Sequence, residues 1–165
     1  MNKKQTDGLK RTELFEVHKR LGARLVPFAG WEMPIQYSSI LKEAKAVRSQ
    51  AGIFDVSHMG RVKVNGPDAA RFLDTMVTAD IRGMPVGRAR YTFICNERGG
   101  IIDDTIVYRL AEERFLVIPN ASNTSDVLAW FDRWIGPYGN GVTLEVITDH
   151  TSLIALQGPL AAGIL

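Results

Sequence analysis

Two adjacent carboxylates, Asp103 and Asp104, stand in the middle of an apolar stretch that is typical of a buried strand. A turn-like segment with two glycines, Gly99 and Gly100, precedes them, and isoleucine and valine residues lie on both sides. Burying a carboxylate is costly unless it is paired or hydrogen-bonded. We therefore expect a partner for at least one Asp, and a bound ligand is a good candidate.

Neighbouring side chains on a strand leave on opposite faces, so this pair cannot act as a carboxylate dyad of the aspartic-protease kind. One Asp is expected to face a pocket, and the other a turn, a loop or solvent. The alternative is an edge strand whose two Asp side chains bond only to local backbone. The residue types alone leave both interpretations open.

Aromatic and amide side chains near the acids extend the candidate site. Tyr91 and Tyr108 flank the predicted hairpin and could sandwich a flat heterocycle, although aromatics there are commonly core residues. Asn120 follows the next predicted strand, and its amide could recognise a ligand edge through a donor and an acceptor. A loop Asn bonded to its own backbone is the alternative.

A second polar segment surrounds His58 and Met59, between Asp55 and Gly60. His58 could titrate near neutral pH, and Met59 offers a soft apolar surface. A core His with a packing Met is the alternative. Without a Cys or second His nearby, no metal site is expected. The single cysteine, Cys95, fits a buried hydrophobe better than a nucleophile.

Composition places the chain among globular proteins, since 165 residues are 45% apolar and 23% charged. The net charge of +2 is too small to predict nucleic-acid binding. One cysteine forms no intrachain disulfide, which favours a reducing cytoplasm. The polar N-terminal residues lead us to expect no signal peptide, and no apolar run is long enough to span a membrane. P-loop, Rossmann and G-x-S-x-G motifs are absent, which argues against nucleotide hydrolysis, dinucleotide redox and α/β-hydrolase chemistry.

The periodicity predicts an α+β fold, an antiparallel or mixed sheet with flanking helices. Helices are expected over 12–22 (capped by Thr12), from Ser38 or Ser39 to a stop at Gly52, over 67–77 and from about residue 122 to 135. Strands are expected up to Asn65 and over 89–95, 101–110, 113–119, 142–147 and 152–157, and residues 30–34 are expected to form a loop. A helix start near Pro159 suggests that the sequence is part of a longer protein.

Several sequence blocks together resemble one family, the aminomethyltransferases or T-proteins of the glycine cleavage system. The blocks are Phe28-Ala29-Gly30-Trp31-Glu32-Met33-Pro34, Ala46-Val47-Arg48, Gly52-Ile53-Phe54-Asp55-Val56-Ser57-His58-Met59-Gly60, Gly99-Gly100-Ile101-Ile102-Asp103-Asp104, Asn120-Ala121 and Ala155-Leu156-Gln157-Gly158-Pro159. The resemblance divides the chain into a flexible tail, 1–11, and the N-terminal part of a folate-binding domain, 12–165.

The resemblance implies the first part of a three-lobed fold that holds folate in a central hole. It implies a tetrahydrofolate-dependent transferase without a metal. Such an enzyme receives an aminomethyl group from the lipoyl arm of the H-protein, releases ammonia and forms 5,10-methylenetetrahydrofolate. The later lobes of the family lie outside this sequence, so we expect this chain alone to be inactive.

The resemblance also assigns site residues. Asp104 matches the essential carboxylate of the family, and the matching pocket positions are Met59, Tyr91, Ile106, Tyr108 and Asn120. Pro119 stands where the family usually has Val, and it removes a backbone donor beside Asn120.

Two alternatives remain within the resemblance. One is the folate domain of a dimethylglycine or sarcosine oxidase, which would require a flavin-binding domain before it. The other is a non-enzymatic folate-binding module related to iron–sulfur assembly factors. The Asp pair and the His58-Met59 segment favour the transferase.

Overall fold

The computed structural model describes residues 8–165 and confirms an α+β architecture with antiparallel strand pairing. The described residues divide into two compact units. One unit runs to His58 and resumes over His150–Leu165, and the other is Met59–Asp149. No helix among residues 8–165 is both long and apolar enough to cross a membrane.

The Met59–Asp149 unit is built on a five-stranded antiparallel sheet. Its strands are β4 (Val62–Asn65), β5 (Ala89–Cys95), β6 (Ile101–Ala111), β7 (Arg114–Ile118) and β8 (Thr143–Val146). Their order across the sheet is β5-β6-β7-β4-β8. Helices α3 (Ala69–Met76) and α4 (Thr124–Ile135) pack against the sheet, and a 3-10 segment, Gly136–Gly141, follows α4.

The core of this unit consists of apolar side chains from the sheet and both helices. Phe72 of α3 and Phe131 of α4 are fully buried, and their ring centroids lie 5.4 Å apart in an edge-to-face arrangement. Phe115 and Val107 are also fully buried in the sheet. Burial therefore falls on one face of strands β6 and β7, as the alternating pattern predicts.

The turn between β5 and β6 is organised by Asn96. Its Oδ1 accepts hydrogen bonds from the backbone N–H groups of Arg98 and Gly100, at 3.0 and 2.9 Å. Gly99 has a φ of +77°, a left-handed conformation that glycine adopts without strain. The predicted hairpin and its glycine-containing turn are both present.

The other unit contains two separate two-stranded sheets. Strand β1 (Arg24–Phe28) pairs with β2 (Trp31–Gln36), and β3 (Gly52–Asp55) pairs with β9 (Ile154–Gln157). The helices are α1 (Phe15–Arg20), α2 (Ile40–Ser49) and α5 (Ala161–Ile164). A short 3-10 helix, Thr148–His150, spans the point in the sequence at which the Met59–Asp149 unit ends.

The loop predicted over residues 30–34 is wrong beyond Gly30, because residues 31–34 belong to strand β2. Ala29 and Gly30 both have positive φ, 49° and 81°, as a two-residue hairpin turn requires. Alanine seldom adopts this conformation, so the turn signal was weak. Pro34 is tolerated in the strand because a two-stranded sheet has only edge strands.

The first two helices also differ from their predicted limits. Helix α1 begins at Phe15, and Thr12 does not cap it, since its hydroxyl donates to Asp55 Oδ2 at 2.6 Å. Helix α2 ends at Ser49, and Gly52 begins β3. At the start of α2, Glu43 Oε1 accepts the backbone N–H groups of Ser38 and Ser39, so a carboxylate replaces the predicted serine cap.

Residues 1–7 of the tail predicted over 1–11 lie outside the described part of the chain. Lys10 pairs with Trp31, and its backbone N–H donates to the Gly30 carbonyl at 2.9 Å. The end of the predicted tail is therefore attached to the β1–β2 hairpin.

Candidate active site

The hairpin of β5 and β6 carries an exposed face with aromatic and acidic side chains. In its register, Tyr91 pairs with Ile106, Phe93 with Asp104, and Ala89 with Tyr108. Tyr91 is 61% exposed, whereas the intervening Thr92, Thr105 and Val107 are buried. The alternation places one set of residues on the same side of the sheet, called here the hairpin face: Tyr91, Phe93, Asp104, Ile106 and Tyr108.

Asp104 is held on the hairpin face by two side-chain donors. The Tyr91 hydroxyl donates to Asp104 Oδ2 at 2.8 Å, and Asn120 Nδ2 donates to Asp104 Oδ1 at 3.1 Å. The carboxylate therefore has a defined orientation although it is exposed.

The hydrogen bond to Asp104 raises the pKa of Tyr91 above its ordinary value of 10.0, with smaller contributions from burial and from the acidic charges of Asp104 and Asp103. Removing the phenolic proton would place two negative oxygens in contact. Tyr91 is therefore a hydrogen-bond donor at neutral pH.

Asp103 points to the opposite, buried side of β6 and is only 1% exposed. Its Oδ2 accepts the Asn120 backbone N–H at 2.9 Å. Its Oδ1 accepts Asn120 Nδ2 at 2.9 Å and Asn123 Nδ2 at 2.6 Å. The predicted separation of the two acids onto opposite faces is confirmed, and Asp103 holds the loop after β7.

Asn120 is the residue that links the two acids. It follows Ile118, the last residue of β7, and Pro119. The Asn120 carbonyl accepts hydrogen bonds from the backbone N–H of Asn123 at 3.0 Å and from Thr124 Oγ1 at 2.9 Å. This turn leads into α4 and fixes the backbone from which the Asn120 side chain extends.

Met59 is followed by Gly60, whose backbone is hydrogen-bonded to the Asn120 loop. The Gly60 N–H donates to the Pro119 carbonyl at 2.9 Å, so Pro119 contributes an acceptor although it lacks a donor. A Cβ on Gly60 would lie 2.5 Å from Thr124 Oγ1 and 2.9 Å from Pro119 Cγ, so only glycine fits. Met59 itself is half-buried beside this junction.

Two further residues of this region, Phe93 and Asn123, were not predicted from the sequence. Phe93 shares the hairpin face, and its ring lies edge-on to Tyr91 with centroids 5.5 Å apart. Its position two residues after Tyr91 on one strand was the available signal. Asn123 contacts Asp103 across 20 positions of sequence, and no local pattern indicates that contact.

His58 belongs to the other unit, where its ring packs edge-on against Phe28 with centroids 5.5 Å apart. That geometry agrees with the interpretation of His58 as a packing residue. Among residues 8–165, no group of three or more His, Cys, Asp or Glu side chains is arranged to hold a metal ion.

The same unit contains a buried polar network around Asp55, whose side chain is 1% exposed. His18 Nε2 lies 2.8 Å from Asp55 Oδ2, and His18 Nδ1 lies 2.8 Å from the Tyr37 hydroxyl. Burial alone would raise the pKa of Asp55, but hydrogen bonds from Ser57, Thr12 and His18 outweigh it and hold the pKa below its ordinary value. Tyr37 and Asp55 also line a cavity of about 510 Å³.

Comparisons with known proteins match this chain to one family. The GCVT N-terminal domain model matches residues 14–165. An aminomethyltransferase of Thermotoga maritima is 48% identical over 155 residues, which cover 93% of this chain and 42% of the relative. One from Corynebacterium jeikeium is 49% identical over 154 residues, which cover 93% of this chain and 39% of the relative.

A solved structure has the same fold. The crystal structure of glycine cleavage system aminomethyltransferase T from Bartonella henselae superposes with a TM-score of 0.88 at 40% identity, covering 95% of this chain and 43% of that one. The chain thus spans well under half the length of these relatives.

Proposed function

The chain belongs to the GCVT N-terminal domain family, the aminomethyltransferases of the glycine cleavage system, and on that premise we propose that its hairpin face binds tetrahydrofolate for one-carbon transfer. The relatives' names favour this transferase over the oxidase and non-enzymatic alternatives.

The observation that carries the proposal is the setting of Asp104. A carboxylate held by Tyr91 and Asn120 lies on a face that also bears exposed Phe93 and Tyr108. Aromatic faces suit a flat ring, and a carboxylate is a strong acceptor for ring N–H groups. A pterin offers both features, so these residues fit it.

The remaining proposed ligand contacts come from the same region. Ile106 lies next to Asp104 on the hairpin face, and Asn120 offers its amide beside the carboxylate. Met59 lies near the Asn120 loop through the Gly60–Pro119 hydrogen bond. Together with Tyr91 and Tyr108, these residues form the proposed folate-binding set.

In the proposed reaction, tetrahydrofolate takes the methylene carbon of an aminomethyl group carried on the lipoyl arm of an H-protein. The carbon gains bonds to the two folate amine nitrogens and loses its bonds to sulfur and to the amino nitrogen. The two protons lost from folate leave with ammonia and the dihydrolipoyl thiol, which yields 5,10-methylenetetrahydrofolate. Asp104 is proposed to accept a proton or to stabilise positive charge, a role typically worth about 10²–10⁴-fold in rate.

Calorimetric titration of the 165-residue chain with 5-formyltetrahydrofolate tests the binding site. We expect saturable binding that Asp104→Asn weakens. The matched control is Asp132→Asn, an exposed acid on α4, which should leave the affinity unchanged. Equal affinity of the Asp104→Asn variant and the unmodified chain would contradict the assignment of Asp104. A folded chain that does not bind 5-formyltetrahydrofolate would contradict the proposal that these 165 residues form a folate site by themselves.

A further inference from the structure

Asp103 is a buried carboxylate, and within the described part of the chain its hydrogen bonds come only from amide N–H groups. The three donors are the backbone N–H and Nδ2 of Asn120 and Nδ2 of Asn123, at 2.6 to 2.9 Å. Within residues 8–165, no ion pair reaches it. A buried carboxylate needs such donors to be tolerated, and both side-chain donors come from one loop. Asp103 therefore connects that loop to strand β6 through three hydrogen bonds.

The orientation of the Asn120 amide follows from its surroundings. Nδ2 lies 2.9 Å from Asp103 Oδ1, 2.8 Å from the Asp104 carbonyl oxygen and 3.1 Å from Asp104 Oδ1. Turning the amide over would bring its own oxygen against these three oxygens, which is repulsive. The NH₂ group must therefore face the acids, and Oδ1 must face away from them.

Asn123 adds a second side-chain hydrogen bond to Asp103. Its Nδ2 donates to the same Asp103 oxygen that Asn120 contacts, and its Oδ1 accepts the Ser122 hydroxyl at 3.1 Å. Asn123 precedes Thr124, the first residue of α4, so the helix start anchors it. The two amides and the carboxylate form a connected group that includes both sides of the 120–123 turn.

We propose that Asp103 and Asn123 are positioning residues that lock the Asn120 amide, so that its NH₂ group orients Asp104 and its Oδ1 is presented as an acceptor. The ligand class this arrangement selects is a planar heterocycle with an N–H or amino donor at the edge facing Asn120. Only the identity of that ligand as a folate rests on the proposed function; the locking of the amide does not.

Side-chain amide hydrogen exchange in the ¹⁵N-labelled 165-residue chain measures the locking directly. We expect the Asn120 NH₂ protons to exchange about tenfold slower than those of Asn140, an exposed residue of the 3-10 segment. Asn123→Ala should remove most of that protection while backbone exchange at Phe131 changes less than about twofold. Asn123→Asp, which has the same shape but faces Asp103 with a carboxylate, should remove more. Asn140→Ala is the control and should change neither quantity.

The outcomes separate this proposal from the folate assignment. The positioning role would be overturned if the Asn120 NH₂ protons exchanged as fast as those of Asn140. It would also be overturned if neither Asn123 substitution changed their exchange rate. Equal changes at Asn120 and Phe131 would also overturn it, because they would indicate general destabilisation. Protection that depends on Asn123 in a chain that fails to bind 5-formyltetrahydrofolate would support the lock and refute the proposed ligand. With binding present, Asn123→Asp should weaken affinity about tenfold.

Discussion

Asp103 and Asp104 are adjacent in sequence and face opposite sides of strand β6, yet one amide nitrogen, Nδ2 of Asn120, lies within 3.1 Å of an Oδ1 atom of each. The buried acid and the exposed acid are thus coupled through a single loop residue. The two acids have different surroundings, since Asp103 is enclosed by the loop and Asp104 lies on the hairpin face.

Replacement of Asp103 should be more destabilising than replacement of Asp104. Asp103→Ala leaves buried amide donors without an acceptor, at about 1–3 kcal/mol for each group left unsatisfied. Asp104→Ala removes an exposed side chain and should change the free energy of unfolding by less than about 1 kcal/mol. Urea unfolding followed through Trp130 and Trp134 of α4 measures both variants. Equal losses of stability in the two variants would contradict the distinct roles.

Tyr91 should titrate at lower pH when Asp104 is neutralised. The hydrogen bond to Asp104 raises the pKa of Tyr91, so the folded chain keeps the phenolic proton to higher pH than an ordinary tyrosine does. Asp104→Asn removes the negative charge and should move the Tyr91 pKa back towards 10.0. The Tyr91 ¹³Cζ resonance, followed during alkaline titration, reports the change. A Tyr91 pKa unaltered by the substitution would refute the coupling.

Gly60→Ala should destabilise the Met59–Asp149 unit and disturb the Asn120 loop. The added Cβ would lie 2.5 Å from Thr124 Oγ1 and 2.9 Å from Pro119 Cγ, and overpacking of this kind typically costs about 1–3 kcal/mol. Gly163→Ala is the control, because Gly163 lies in helix α5 and has open space around its Cα. We expect the control to be neutral or slightly stabilising, and an equal loss of stability in both variants would contradict the predicted clash.

The network around Asp55 should make its unit sensitive to acid. Because hydrogen bonds hold the folded pKa below the unfolded value, the stabilisation is fully present above the unfolded pKa of about 3.9 and is lost as pH falls through the folded pKa. Asp55→Asn should therefore lower stability at pH 7 and reduce the dependence on pH below about 4.

The indole resonance of Trp31, which is buried in the same unit, follows this acid transition. Glu13→Gln is the control, since Glu13 is exposed in that unit. An Asp55→Asn variant with the same acid profile as the unmodified chain would show that the network does not contribute.

Much of the Met59–Asp149 unit was predictable because its signals are local. The strand predicted over 89–95 matches β5, and that over 101–110 differs from β6 by one residue at its end. Alternation alone predicted that Asp103 and Asp104 would face opposite sides. The β1–β2 hairpin was missed because its turn uses Ala29, a residue with no propensity for positive φ.

The sequence by itself determined the α+β class, the hairpin with its acid pair, and the motif blocks that identify the family, because strand period, turn glycines and residue order are all written along the chain. The tertiary structure decided which acid is buried, which amide joins the two acids, and that Asn123 takes part. Those contacts join residues 16 to 20 positions apart, and their geometry depends on how the β7–α4 loop folds back onto β6. No local periodicity encodes such a distance, so only the packed chain shows it.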